Sequence, residues 1–487
     1  MKYPSGVFLI ILVFLLSASH GLKSEVEVMY YWKQVFFENL PLDDGAFIGK
    51  HPYYIPENND VTGLAHHAQS GLMIISIPRI RPGVPSTLNA FCLSDHAKGT
   101  SPWLWGFPNY KKNTLKASFY GERDYDDYDD YDPRHLKNIP ITYSAGYYEY
   151  FFNVLHKDSD ARTYPTKPPF YPVSYDFKII SVYSPVLDND CNRLYVLDTG
   201  TIQYTSVGTY NVQNPAIVVF DIPSDGCKTR QFEVLRRLEI PNHLWKNPMG
   251  FIHLTIDQQV KGTCDDVFIY CPNIFESSLI VCDYKRGSFW SFKDSSFQPV
   301  YSESNLVFRD NYQYSMPGGI TNLVLGYPDK DGHKNAYYAP SSSFGQYAVF
   351  TKVIKDVRRS YKKNVGDFHL IGYRGCNSQT NYQVIDLATG VIFFAEMQSH
   401  RIRCWNIQHP INSDSVGVIF ESNKLDFVSD LNLDSDGNLL FISNQNPITY
   451  LTNKPLNVSE VNSRIFRVKA SEAIRGTVCD TSHTMFV

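Results

Sequence analysis

Several common catalytic signatures are absent from this sequence. There is no G-x-S-x-G elbow, no H-E-x-x-H pair, no P-loop and no G-x-G-x-x-G. Serine-hydrolase, zinc-protease, nucleoside-triphosphate and dinucleotide chemistries therefore lack their usual footing. None of the nine cysteines stands at C-x-x-C spacing, which argues against a zinc ribbon or a thioredoxin-type centre. The formal net charge is only -4 over 487 residues and gives no reason to expect nucleic acid as a partner. Past the N-terminus no stretch approaches the ~20 apolar residues needed to span a bilayer, so no membrane anchor is expected. Helix signals are few, the clearest being Ser471–Arg475 before Gly476. No motif calls for a cofactor, and none is expected.

What is present begins with an address. Lys2 precedes an apolar run from Val7 to Leu16, followed by Ser17-Ala18-Ser19-His20-Gly21. This is the pattern of a secretory signal peptide cleaved after Gly21. Residues 1–21 are read as the leader and 22–487 as one secreted domain. In an oxidising compartment most cysteines should pair, and the odd count leaves at least one over. Pairs such as Cys191 with Cys227, or Cys376 with Cys404, would staple strands within one repeat. Asn457-Val458-Ser459 is the one N-x-[ST] sequon, which predicts a glycosylated surface loop at Asn457.

Tyr and Phe, at 34 and 31 residues, are abundant in the way of aromatic-rich β structure. Short apolar runs bounded by turn residues read as buried strands, and they come in pairs. The pairs are Gly71–Ser76 with Thr87–Phe91, Asn192–Asp198 with Ala216–Asp221, and Asp266–Tyr270 with Leu279–Asp283. Asn335–Ala339 with Tyr347–Phe350, Gly390–Ala395 with Arg401–Trp405, and Gly437–Ser443 with Ser463–Val468 follow. Small antiparallel units that cannot each bury two faces stack around an axis. Six units predict an all-β fold, a six-bladed β-propeller. Phe427–Leu433 is expected to be an innermost strand. Residues 30–40 read as an N-terminal strand that would complete the last blade and leave no open edge.

One segment breaks the pattern, at about 116–177. It holds the run Asp124–Asp132, made only of Asp and Tyr with Tyr at every third position, then four prolines between Pro165 and Pro172. Dense like charge opposes packing, so a solvated loop is expected there.

Candidates for chemistry are sparse. His66 and His67 are adjacent, and neighbours on a strand point to opposite faces, so they are not expected to share a metal. Asp198, Asp221, Asp283 and Asp434 stand at strand ends, where carboxylates usually accept backbone N–H groups in turns. The central channel of a propeller is where polar and aromatic groups from several blades converge.

The stretch Asp190-Cys191-Asn192-Arg193-Leu194-Tyr195-Val196-Leu197-Asp198-Thr199-Gly200 closely resembles the insect yellow / major royal jelly protein family. So do Tyr54-Ile55-Pro56-Glu57-Asn58-Asn59, Gly83-Val84-Pro85-Ser86-Thr87-Leu88, Cys404-Trp405-Asn406, Ser429-Asp430-Leu431, Ser443-Asn444 and Gly476-Thr477-Val478-Cys479. The resemblance implies a secreted propeller acting in cuticle or eggshell pigmentation, hardening or nutrition. It also implies a small aromatic amine or catechol ligand in the channel, with cuticle or eggshell matrix as further partners. By this resemblance Ser429, Asn444 and Tyr183 are the ligand-binding residues. An alternative it offers is dopachrome conversion in melanin formation, although no general base for that reaction stands out in the sequence. The chain departs from the family pattern at Asn446, where amine-binding relatives carry an aromatic. It departs again at Gly318-Gly319-Ile320, where many carry Asp-Gly-Ile, and near Asn214-Pro215, where a family cysteine is missing.

Overall fold

A sheet with apolar side chains on both faces needs a neighbour on each side, and this chain supplies them in a ring. The computed structural model describes residues 26–41, 47–48, 51–115, 177–204, 208–307, 313–361, 366–445, 449–450 and 454–481. The leader, the acidic run and Asn446 lie outside the described residues.

Six four-stranded antiparallel sheets form the six blades of a β-propeller. From the inside outward, the first comprises Gly63–His67, Leu72–Ser76, Leu88–Cys92 and Trp105–Gly106. The second comprises Val182–Asp188, Arg193–Asp198, Ala216–Asp221 and Val234–Glu239, and the third Thr255–Gln258, Val267–Asn273, Ser278–Asp283 and Ser288–Lys293. Ile320–Pro328, Lys334–Pro340, Gly345–Phe350 and Phe368–Tyr373 make the fourth; Gln383–Asp386, Val391–Ala395, Arg401–Asn406 and Val416–Glu421 make the fifth. In the sixth, Phe427–Leu433, Asn438–Asn444 and Ser463–Lys469 are joined by an outer strand from the other end of the chain, Glu27–Trp32. The closure matches the expectation, with the strand earlier than residues 30–40. Val35 and Phe37 instead pack as irregular chain into the seam between the sixth and first blades. The predicted helical turn lies at Ala470–Ala473, and the chain turns beyond it at Gly476, φ 72°.

The core is divided into seams between adjacent blades. Leu64, Met73 and Phe91 meet Ile442 and Ile465 in one, and Ile74, Ala90 and Phe107 meet Val196, Val218 and Phe220 in the next. All five residues of Leu72–Ser76 are buried, which is why these strands read as continuous apolar runs rather than alternating ones. Each fully buried large side chain contributes roughly 1.5–3 kcal/mol.

The disulfides overturn both expected pairings. Cys92 bonds Cys227, Cys191 bonds Cys264 and Cys404 bonds Cys479, with Cα–Cα distances of 5.7, 5.6 and 6.2 Å. Cys376 is free and exposed, and Cys271 and Cys282 are free and buried. The physical reason is the strand spacing. Cys191 sits in the turn between the first and second strands of its blade, and Cys227 follows the third. Two strand spacings, about 10 Å, separate such turns, beyond the ~7 Å limit for a disulfide. The facing loops of the next blade are closer, so the bonds run between blades. Cys404 lies within a buried strand and Cys376 in the loop leaving the fourth blade.

Peptide mapping without reduction should recover these three pairs and no Cys191–Cys227 peptide. Thiol titration should count one reactive cysteine in the native protein and three in denaturant. Replacing both Cys191 and Cys264 with Ser should cost about 2–5 kcal/mol of stability, read as a lowered Tm.

Candidate functional site

The innermost strand of a blade has one backbone edge with no strand beside it, and that edge faces the channel. Side chains from the preceding blade close it. The carboxylate of Asp430 accepts the Leu64 N–H at 3.0 Å, and the Asn432 amide donates to the Leu64 carbonyl at 2.6 Å. Asn322 takes both backbone groups of Gln383 in the same way, at 3.3 and 2.6 Å. The Thr255 hydroxyl does so for Leu323, at 3.3 and 2.7 Å.

Ser429, Asn444 and Tyr183 come together in this edge network. The Ser429 hydroxyl donates to the Thr62 carbonyl at 2.8 Å, and the Asn444 amide donates to Ser429 Oγ at 2.8 Å and to the Val61 carbonyl at 2.6 Å. Thr62 Oγ1 in turn donates to the Tyr183 carbonyl at 2.9 Å. The chain of bonds thus joins the sixth, first and second blades. It takes up the side chains of Ser429 and Asn444, which are 3 % and 0 % exposed. Gly63 permits the close approach: a Cβ there would lie 2.3 Å from the Tyr183 carbonyl oxygen. Only Tyr183 of the three keeps a functional group unused, for its half-buried phenol has no hydrogen-bond partner among the described residues.

Three further groups at the same end of the channel were not found from sequence. His253 lies just before the innermost strand of the third blade, and Tyr382 just before that of the fifth. Their rings meet edge to face across the axis, with centroids 5.9 Å apart. Both are buried, and among the described residues neither His253 nitrogen and not the Tyr382 hydroxyl has a hydrogen-bond partner. Burial pushes the His253 imidazole down to about 4, so it is neutral at physiological pH. Burial also raises the Tyr382 phenol, and the nearby Asp430 carboxylate adds to the effect.

Asp430 completes the group. Its Oδ2 accepts from Leu64 N and from the Ser184 hydroxyl at 2.9 Å, while Oδ1 has no well-formed bond among the described residues. Burial outweighs those donors and raises its pKa to about 8. Asp430 stands inside the recognised Ser429-Asp430-Leu431 motif, so a signal existed for it. His253 and Tyr382 carry none, since only the ring closure brings them together.

Of the remaining candidates, Asp198, Asp283, Asp434, His66 and His67 have structural roles. Asp198 accepts N–H groups from Ile180, Ser181 and Gly200 at 2.9–3.0 Å, and Asp283 and Asp434 cap hairpins in the expected way. At the far end of the channel His66 turns to Asp434 of the sixth blade and His67 to Asn192 of the second, each at 3.0 Å. They face apart, and no cluster of metal-ligating side chains occurs among the described residues. A Cβ at Gly318 would lie 2.1 Å from Ser341 Oγ, so a side chain there has no room.

A six-bladed propeller with unpaired aromatic and ionisable groups at one end of its channel is the class this geometry defines. Residues 180–479 match the sequence profile described as Major royal jelly protein. The chain belongs to that family, the yellow and major royal jelly proteins. It is 29 % identical to Yellow-related salivary protein SP03 of Phlebotomus perniciosus, over 96 % of this chain and 98 % of that protein. Yellow-related salivary protein LJM111 of Lutzomyia longipalpis is 31 % identical over 62 % of this chain and 73 % of its own length. L-dopachrome tautomerase yellow-f of Drosophila melanogaster is 27 % identical over 88 % and 83 %.

The raised pKa of Asp430 has a stability consequence with a definite sign. The folded protein keeps a proton that the unfolded chain, with an ordinary value of 3.8, has released. Stability therefore falls as pH rises from 3.8 to about 8 and levels off above. Asp430→Asn retains an oxygen that can accept both bonds and has no proton to lose. Its Tm should decline less than the wild type's between about pH 5 and pH 9, measured by calorimetry.

Proposed function

We propose that this protein is secreted and holds a small aromatic amine or catechol-type molecule in its channel. Its setting on this reading is pigmentation or hardening of cuticle or eggshell. One observation carries the reading: Tyr183, His253, Tyr382 and Asp430, contributed by four blades, all hold polar atoms without a hydrogen-bond partner among the described residues. Buried polar groups are nearly always paired, so a cluster of unpaired ones at a channel supports a ligand that pairs them. Two phenol rings offer faces to a flat aromatic or a cation.

Secretion is supported by the relatives named as salivary, by the three disulfides and by the leader pattern. No helix among the described residues is long and apolar enough to cross a membrane. The sequon fits the same reading. Asn457 is exposed in a turn where the Ser459 hydroxyl donates to its side-chain oxygen at 2.7 Å.

A second reading, dopachrome conversion, is favoured by a single observation, the neutral and unpartnered imidazole of His253. It supplies the kind of base that the sequence did not disclose.

Titration of the purified protein with dopamine and with serotonin by calorimetry tests the binding reading. Heat of binding is expected for at least one of them, and no heat at millimolar ligand would sink the reading. Tyr183→Leu should weaken binding roughly tenfold with Tm unchanged. Ser429→Ala and Asn444→Ala should each lower stability by about 1 kcal/mol, because their bonds join blades.

A further inference from the structure

The loop after the second strand of the first blade is tied to a neighbour on each side. Toward the second blade, the Arg79 N–H donates to Ser181 Oγ at 2.9 Å and its guanidinium to the Ile179 carbonyl at 3.1 Å. Tyr183 follows Ser181 by two residues. Toward the sixth blade, Arg81 Nη2 donates to the Thr449 carbonyl at 2.5 Å, and both residues are buried. Thr449 N in turn donates to the Gln445 carbonyl at 3.1 Å, the spacing of a helical bond, directly after Asn444. Asn444 and Tyr183 are already linked through Val61 and Thr62. The chain after Asn444 and the strand that carries Tyr183 thus hang from the first blade by two separate routes.

A buried guanidinium gives up its water, and the carboxyl of Asp60, buried nearby, is a charge that Arg81 influences in return. A bond from a charged donor is stronger than one from a neutral group, so the Thr449 carbonyl is held firmly. The next residue is Tyr450, which is half-buried. Its phenol lies near enough to that of Tyr183 to add to the effect of burial in raising the Tyr183 pKa. Two aromatic side chains from different blades are therefore neighbours at one end of the channel. A buried cation fixes the backbone next to one of them.

We propose that Tyr450 is a ligand-binding residue of the channel, its ring continuing the aromatic wall begun by Tyr183, and that Arg81 is the positioning residue that holds it there. A flat ring or a cation gains from each π face it meets, and a face already fixed in place loses little freedom when the ligand arrives. Three blades build this wall. The second carries Tyr183, the sixth carries Tyr450, and the first fastens both through Arg79 and Arg81. The Tyr450 ring is the part that meets the ligand, whereas Arg81 acts only through the carbonyl of Thr449. The proposal rests on the reading that the channel takes a small aromatic molecule, and it adds a side chain that grips one.

The test is calorimetric titration of the purified full chain with dopamine and with serotonin, on wild type and four variants. Tyr450→Leu should raise Kd roughly tenfold for whichever probe binds, with Tm near the wild type's. Tyr450→Phe keeps the ring and should stay within about threefold of wild type. Arg81→Met should weaken binding as well, but should add nothing to Tyr450→Leu in the double variant, because it acts through Tyr450. Wild-type binding that Tyr450→Leu leaves unchanged overturns the proposal while the binding reading stands. A loss in Tyr450→Phe as large as in Tyr450→Leu overturns the contact through the ring face. A further loss from Arg81→Met in the Tyr450→Leu background overturns the positioning role, which a general loosening of the loop would produce. No heat with either probe on the wild type overturns the reading and the proposal together.

Discussion

The free backbone edge of each innermost strand is the constraint on which this structure depends. A propeller has no strand to place in its own centre, yet buried N–H and C=O groups must be paired. The chain answers with side chains: Asp430 and Asn432 bracket Leu64, Asn322 brackets Gln383, and Thr255 brackets Leu323. Each acts from one blade onto the next, in the same sense around the ring. The amide and hydroxyl side chains near the axis are therefore mostly employed in construction. Among the described residues, Tyr183, His253, Tyr382 and Asp430 hold polar atoms that escape it.

The same constraint reassigns the residues that family resemblance marked. Ser429 and Asn444 look like ligand contacts when only their motif is read, because they are polar and lie near the channel. In three dimensions their hydrogen-bonding capacity goes into the junction of the sixth, first and second blades. Tyr183 differs because its backbone carbonyl serves the junction while its ring remains available. The groups left without a hydrogen-bond partner among the described residues are instead those of Tyr183, His253, Tyr382 and Asp430.

The fold was legible because its signal is periodic and local. Paired apolar runs, each bounded by turns, specify antiparallel units, and their number fixes the blade count. The closing strand was legible too, since a ring without it would leave an open edge. The disulfides were not. Pairing by nearness in sequence assumed that a blade folds onto itself, whereas radial stacking sets the loops of neighbouring blades closer than alternate turns of one blade. Cys191 found Cys264, 73 residues away, in preference to Cys227.

The sequence by itself determined the six units, their antiparallel pairing, the family and the caps that Asp283 and Asp434 place on their turns, because each depends on residues close together in the chain. Tertiary structure alone decided which cysteines bond, which polar groups near the axis are spent, and which are left. His253 and Tyr382 are 129 positions apart and carry no motif. Their rings meet only because six blades close a circle and bring the starts of the third and fifth innermost strands to the same end of one channel.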